Sequence, residues 1–269
     1  MTSAAYILNL ARAEFARRYW TVVRYPVDYF TGIVSLYLLF IGVFYGVAGN
    51  FDEGVAGLDR TLDSLALGTA MWFFAISVMN QVRVILEMEA VTGTLEQLFI
   101  APVRFFWILS MRAFTGFVAS VVAVALLLVL IMATTGRWLA IPIIPAIAII
   151  TLAALGIQGV ALVMGGLTLV FKRIGQLNMI VQFAFLFLAF PPIENLNPAW
   201  RGVAYSFPLA RAMTLLRGLG IDGWAWNDAA ALANLASLVV NSAVYLVVGW
   251  AFYLLCERIA KAYGLLGHY

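Results

Sequence analysis

Six long stretches of this chain contain no charged residue, and they constrain its fold more than any other feature of the sequence. About 20 helical residues cross a hydrocarbon core that is about 30 Å thick. Backbone groups inside lipid must bond to one another, so each stretch predicts a membrane-spanning helix. The stretches are Tyr29–Phe51, Ser64–Val82, Ala113–Gly136, Trp138–Phe171, Ile174–Ile193 and Ala229–Cys256.

The amino-acid composition excludes most soluble functions. Hydrophobic residues make up 64% of the 269 residues and charged residues 11%, whereas about a quarter of a soluble domain is charged. A soluble enzyme or a free nucleic-acid-binding protein would lack the polar surface that it needs. The single cysteine, Cys256, and the single histidine, His268, exclude a His/Cys metal cage and a histidine-based catalytic set within one chain. We therefore expect no metal site, no catalytic residues and no nucleic-acid partner.

The expected fold is one all-α membrane domain over residues 1–269 with six spans and short connections. An amphipathic helix at the membrane interface is predicted over residues 1–26, the six-span bundle over 27–256, and a cytoplasmic tail over 257–269. In the fourth stretch Pro142 and Pro145 suit the first turn of a helix, so this span is expected over Ile143–Phe171.

The N-terminal segment carries four arginines beside an apolar line with helical spacing. We interpret it as a helix that lies on the inner leaflet with its arginines at the headgroups. The alternative is a positive flank that only sets the topology. The line consists of Ile7, Ala11, Phe15 and Tyr19.

The distribution of Lys and Arg predicts the orientation, because cytoplasmic loops carry the excess of positive residues. With six spans and the N-terminus inside, one face holds 11 of the 16 Lys and Arg residues and the other holds 5. Both termini are therefore expected in the cytoplasm of a cell whose plasma (inner) membrane holds the chain. Arg112, near the inner end of the third span, is expected to pair with Glu87, Glu89 or Asp28 or to extend to the lipid headgroups. Arg83 has the helical spacing to pair with Glu87.

The inner segment between the second and third spans predicts a short helix of about two turns. Gly93 breaks the preceding helix, Thr94 and Gln97 form a capping-box pattern, and Pro102 ends the segment. Isolated helices of this length are unstable in water. It must dock on its own bundle or on a cytoplasmic partner.

The outer segment between the fifth and sixth spans is rich in apolar residues. It predicts a pair of short amphipathic or re-entrant helices before the last span. The alternative is a loop packed over the bundle. One predicted helix has Leu209, Met213, Leu216 and Gly220 on one face and Arg211, Thr214 and Arg217 on another.

These features together resemble the ABC-2 type permeases of ATP-driven (ABC) exporters. The likeness includes the six spans, the basic N-terminal helix, the outer segment from Pro191 and the stretch Glu-x-Glu-x-x-x-Gly-Thr-Leu-Glu-Gln-Leu-x-x-x-Pro from Glu87 to Pro102. It implies a half-transporter that pairs with a second permease, either another copy in a homodimer or a related chain, with two ATPase subunits docked beneath. It also implies that the inner segment is a coupling helix that contacts the ATPase. The residues so assigned are Glu87, Glu89, Gly93, Thr94, Leu95, Glu96, Gln97, Leu98 and Pro102.

The chain itself encodes no nucleotide site. A phosphate loop needs Gly-x-x-x-x-Gly-Lys-Ser/Thr, and the only lysines are Lys172 and Lys261, in other contexts. ATP and its magnesium ion are therefore expected in a separate ATPase chain, with no cofactor bound here. We expect a transport subunit rather than an enzyme, since zinc-protease and serine-hydrolase motifs are absent.

Polar side chains inside the spans are expected to face the bundle or a wet cavity. Interhelical hydrogen bonds explain most of them, including those of Asn234 and Asn241 in the last span. Lining of a translocation pathway is the other interpretation. The resemblance favours it most for Asn178 and Gln182, since the fifth spans of that family commonly face the dimer axis. Phe183 and Phe187 of the same span are further candidates, with packing or lipid contact as the alternative. Glu194, just beyond the span, either marks the outer exit or caps the next helix.

The function expected from these observations is export of an amphipathic or hydrophobic molecule, such as a drug or an antibiotic, by alternating access. The alternatives are export of a lipid-linked polysaccharide, or a membrane channel or enzyme without ATP coupling.

Overall fold

Nine α-helices make up the regular structure of the residues described by the computed structural model. These residues are 3–49, 57–93, 105–191, 193 and 196–264. The helices are α1 (Ser3–Arg24), α2 (Pro26–Ala48), α3 (Leu58–Val91), α4 (Phe105–Thr135), α5 (Ile143–Phe171), α6 (Gly175–Ala189), α7 (Pro198–Tyr205), α8 (Pro208–Gly220) and α9 (Ala229–Ala262).

Proline and glycine set several of these boundaries. Helices α2, α7 and α8 each begin with a proline, whose missing N–H is not needed in the first turn. The side chain of Asn197 accepts a hydrogen bond from the backbone N–H of Ala199 at 3.2 Å and so caps α7. Gly136 follows the last residue of α4 with a φ of +67°, a left-handed conformation that ends helices readily in glycine.

Within the described ranges, five helices are long and apolar enough to cross a membrane, which agrees with the predicted all-α class and supports a multi-pass membrane protein. Helix α6 lies within the fifth predicted span but contains only 15 residues. Its length is therefore about 22 Å at 1.5 Å per residue. The six-span count therefore stays a prediction. The five spans are Tyr29–Val47, Leu58–Val91, Trp107–Thr135, Ile143–Phe171 and Ala229–Ala262.

Helices α5 and α9 pack at backbone distance because glycines face each other across the contact. A Cβ added to Gly159 would overlap the backbone carbonyl of Tyr245, and one added to Gly249 would overlap the carbonyl of Gly159. Small residues at such a crossing let two helices approach closely and gain dispersion energy in lipid. This pair forms the central contact of the bundle, and α3 packs on α5 beside it.

Helix α8 is covered by other helices on both its apolar and its polar face. It packs against α3, α5, α6 and α9, and both predicted faces are covered. Met213 is 0% exposed on the apolar face, while Thr214 and Arg217 on the polar face are 6% and 8% exposed. This burial agrees with the predicted helix that packs over the bundle, and Arg217 reaches the end of α6 from the polar face.

The two ends of the predicted domain also form helices. Helix α1 occupies the segment predicted as an interfacial helix. Helix α9 continues through Glu257 to Ala262, so the first six residues of the predicted tail extend the last span.

Candidate functional site

A cluster of ion pairs holds together the end of the bundle that carries the predicted coupling residues. Arg112 of α4 donates to Glu14 of α1 at 3.1 Å and to Glu89 of α3 at 2.5 Å. Glu14 also contacts Arg17 at 3.3 Å. The side chains of Arg112 and Glu14 are 9% and 10% exposed, so water screens their charges weakly. The cluster therefore ties α1, α3 and α4 together at one point.

The orientation of α1 explains why Glu14 is part of this cluster. Glu14 is buried, whereas Phe15 and Tyr19 of the predicted apolar line are 40% and 62% exposed. The ring of Phe15 packs edge-to-face on Phe114, with centroids 6.1 Å apart. Exposed aromatic side chains are typical of a helix at the membrane interface. Pairing of Arg112 with Glu89 confirms one of the predicted partners, and Glu14 is a partner that no local sequence pattern indicates.

The described part of the predicted coupling region begins at the end of α3. Arg83 and Glu87 pair at 2.5 Å one turn apart, as their spacing predicts. Helix α3 ends at Val91, and Gly93 follows with a φ of +68°. This conformation is strained for any residue with a side chain, and it confirms that Gly93 interrupts the helix. The other assigned residues, Thr94, Leu95, Glu96, Gln97, Leu98 and Pro102, lie outside the described residues.

A cavity of about 1280 Å³ lies beside this end, between the ends of α3 and α5 and the start of α6. It is lined by Glu87, Phe171, Lys172, Arg173 and Gly175, among others. Because both line this cavity, the end of α3 and the beginning of α6 lie at the same end of the bundle.

The residues predicted to line a pathway are separated by the packing of α6. Asn178 is buried, and its amide donates to the side-chain oxygen of Asn80 on α3 at 3.0 Å. The indole of Trp72 donates to the backbone carbonyl of Gln182 at 3.2 Å. Phe183 and Phe187 point outward and are 52% and 70% exposed. Asn178 therefore makes an interhelical hydrogen bond, which is one of its two predicted roles. Lining of a pathway by the five residues stays a prediction. Glu194 lies outside the described residues.

The opposite end of the bundle is organised by arginines of α8. The guanidinium of Arg217 donates to three backbone carbonyls at the end of α6, those of Ala189 at 2.7 Å, Phe190 at 2.8 Å and Pro191 at 2.9 Å. Helix ends leave carbonyls without intrahelical partners, and Arg217 satisfies them from another helix. The sequence pattern places Arg217 on the polar face of a short helix but does not indicate this role, which depends on the packing of α8 against α6.

A second arginine of α8, Arg211, joins this helix to α9. Arg211 stacks over the ring of Tyr205 at 4.2 Å and donates to the side-chain oxygen of Asn234 at 3.0 Å. Asn241, two turns further along α9, donates to the backbone carbonyl of Tyr205 at 2.8 Å. These contacts confirm interhelical bonding for both asparagines.

A cavity of about 1110 Å³ lies at this end between the start of α3, the end of α6 and the start of α9. Arg60, Asp63, Phe190, Arg217 and Asn234 are among its lining residues.

Arg137 fixes the connection after α4 to the start of α3. It donates to Asp63 at 2.6 Å and to Asp59 at 2.7 Å. The hydrogen bond to Asp63 raises the pKa of the Arg137 guanidinium well above its ordinary value, against the opposing effect of burial. The two carboxylates thus stabilise the charged form of Arg137, which ties the two ends of this connection together.

An apolar groove of about 520 Å³ separates α4 from the α5–α9 pair. Phe114, Phe117, Leu155 and Trp250 lie along it, and Gln158 contributes an amide near the middle of α5. Within the described ranges, no group of three or more His, Cys, Asp or Glu side chains is placed to hold a metal ion.

The helices and their packing define the class of this protein: an all-helical chain with the length and composition of a multi-pass membrane protein. Comparison with family models and with curated proteins finds no match to the chain.

Proposed function

We propose that this chain is the membrane-spanning permease subunit of an ATP-driven exporter of the ABC-2 type. In this proposal two copies of the chain form a homodimer in the plasma membrane and bind two separate ATPase subunits on the cytoplasmic side. The permease moves an amphipathic or hydrophobic molecule outward by alternating access, and it catalyses no reaction of its own.

The observation that carries this proposal is the cluster of Glu14, Arg112 and Glu89 next to the break at Gly93. The segment that begins at Gly93 carries the Gly-Thr-Leu-Glu-Gln-Leu motif. The last turn of α3 before it is tied to both α1 and α4 by nearly buried ion pairs. A force applied to the segment by an ATPase would therefore reach three helices at once. A passive channel has no need of such a connection.

Six crossings, with both termini in the cytoplasm, are part of the proposal. The start of α6 shares a cavity with the end of α3, near Glu87. The residue after α6, Phe190, shares another cavity with the start of α3, near Arg60 and Asp63. Since α3 runs from one end of the bundle to the other, this placement supports α6 as a short sixth crossing, and local thinning of the bilayer would accommodate its length.

The proposed cargo class is supported by the apolar groove between α4 and the α5–α9 pair. Its volume of about 520 Å³ is within the range of about 300–1,000 Å³ for small-molecule sites. Gln158 offers a hydrogen-bonding group among apolar side chains. An apolar molecule with a single polar group fits this combination.

Co-expression with a candidate ATPase and purification in detergent test the proposal. We expect a complex of two permease and two ATPase chains, and ATPase activity that a hydrophobic compound stimulates. Asp in place of both Leu95 and Leu98 should release the ATPase while the permease remains inserted and folded. Trp200→Asp, an equally polar change at an exposed position of α7, is the matched control and should leave the complex intact.

Two results would contradict the proposal. One is an ATPase that stays bound to the Leu95 and Leu98 double variant as tightly as to the unchanged chain. The other is labelling of a cysteine introduced at Glu96 from outside intact cells, which would place the segment on the wrong side of the membrane.

A further inference from the structure

A cavity of about 590 Å³ lies between α1, α2, α3 and α4, a volume within the range of ligand sites. Its lining changes from charged to apolar with depth. Arg18 and Arg112 lie at the α1 end, and Phe73 and Ala123 lie at the far end. From Arg112 to Ala123 along α4 the distance is about 16 Å at 1.5 Å per residue. The cavity therefore has the polarity gradient of an amphipathic molecule.

The three arginines that line the cavity differ in their partners. Arg17 and Arg112 pair with carboxylates. Among the side chains that the structure describes, which do not include that of Asp28, Arg18 has no carboxylate partner. Its guanidinium lies over the ring of Tyr29 at 5.2 Å, and its Nε atom is buried without a hydrogen-bond acceptor. A buried donor without an acceptor is costly, and the guanidinium that carries it lines the cavity, where a bound anion would compensate its charge.

A second polar group lies deeper in the same cavity. The amide nitrogen of Gln81 donates to the hydroxyl of Ser120 at 3.3 Å, and its amide oxygen is buried without a partner. Gly116 leaves room for this amide, because an added Cβ would lie 2.7 Å from its carbon atom. Turning the amide by 180° lets Ser120 donate to the oxygen and frees the nitrogen for an ester carbonyl.

We propose that this cavity binds one anionic phospholipid from the leaflet on which α1 lies. Its phosphate binds Arg18, an ester carbonyl accepts a hydrogen bond from Gln81, and its acyl chains pass over Phe73 and the neighbouring apolar side chains into the bilayer. Nearby, Tyr19 and Trp20 of α1 are 62% and 65% exposed, which suits a helix at headgroup level. The proposal does not depend on ATP-driven transport.

A net negative lipid is favoured over a zwitterionic one because the guanidinium of Arg18 has no carboxylate partner among the described side chains. The headgroup amine of a zwitterionic lipid would bring a second cation near Arg18, whereas phosphatidylglycerol brings only the phosphate charge. Inorganic phosphate could neutralise Arg18, but it would leave Gln81 and the apolar depth of the cavity unoccupied.

Native mass spectrometry of the full chain in detergent, titrated with phosphatidylglycerol or phosphatidylcholine of identical acyl chains, tests this site. We expect the anionic lipid to bind at least about tenfold more tightly. Arg18→Gln should lower phosphatidylglycerol affinity about tenfold, as loss of a charge-assisted hydrogen bond does, with little effect on phosphatidylcholine. Gln81→Leu should weaken both lipids alike, because both carry the ester.

The matched control is Arg24→Gln, since Arg24 is exposed on the same helix and does not line the cavity. It should change affinity by no more than about threefold, the scale of an arginine near a membrane surface. Arg18→Lys keeps the charge and should keep the lipid preference, which separates a binding defect from a folding defect. Equal affinities for the two lipids, equal effects of Arg18→Gln and Arg24→Gln, or displacement of bound lipid by millimolar inorganic phosphate would overturn the proposal.

Discussion

Replacement of Arg217 by Met should strongly destabilise the end of the bundle where α6 and α8 meet. The guanidinium of Arg217 satisfies three carbonyls, of which that of Ala189 is the most deeply buried. A buried polar group left without its partner costs about 1–3 kcal/mol, and a partly exposed one costs less. One full cost and two reduced ones give an expected loss of about 3–5 kcal/mol in the free energy of unfolding.

Unfolding by denaturing detergent in mixed micelles, followed by tryptophan fluorescence, measures this loss. Arg201→Met, the same change at an exposed position of α7, should alter the free energy of unfolding by less than about 0.5 kcal/mol. Arg217→Lys should fall between the two, because an ammonium group keeps the charge but not the planar fork of donors. If Arg217→Met were as stable as Arg201→Met, the assigned role of Arg217 in stabilising the end of α6 would be refuted.

Three further changes test other parts of the bundle. Gly159→Val should lower the free energy of unfolding by at least about 1–3 kcal/mol, because the new side chain overpacks against the carbonyl of Tyr245. Gly32 has open space around it, so Gly32→Val should leave the free energy of unfolding unchanged in the same assay. Arg112→Met should cost about 3 kcal/mol by removing the cation that links the nearly buried carboxylates of Glu14 and Glu89 and so joins three helices. A stable variant would contradict the role of this ion cluster. The stability difference between the unchanged chain and Arg137→Gln should stay constant from neutral pH to about pH 11, because the guanidinium keeps its charge over this range in the folded and the unfolded chain. A difference that shrinks in mildly alkaline solution would contradict the ion pairs of Arg137 with Asp59 and Asp63 as its source.

The positions of most helices could be predicted from the sequence. The predicted span Ile143–Phe171 agrees with α5 at both ends, because proline starts it and the charged pair Lys172 and Arg173 follows it. Gly93 ends α3 as predicted, since its left-handed backbone suits glycine. Local ion pairs could also be predicted, as Arg83 and Glu87 lie one helical turn apart. Each of these features depends on residues that are neighbours along the chain.

The length of α6 was harder to predict, because hydropathy identifies an apolar stretch without showing where its helix stops. The stretch Ile174–Ile193 is long enough to span, yet the helix ends at Ala189, just before the two prolines that follow Phe190. The exposure of Phe183 and Phe187 could not be predicted either, because an aromatic residue in an apolar stretch can lie inside the bundle or on its surface.

The sequence by itself determined that this protein is a helical bundle suited to a membrane, because charge-free stretches and helix-ending residues act locally. Only the tertiary structure decided which charges are buried. Glu14 and Arg112 are 98 positions apart, and Arg217 meets the end of α6 about 26–28 positions away. Contacts between such distant residues depend on how whole helices pack. The environment of a side chain is determined by its own helix and by the other helices that cover it.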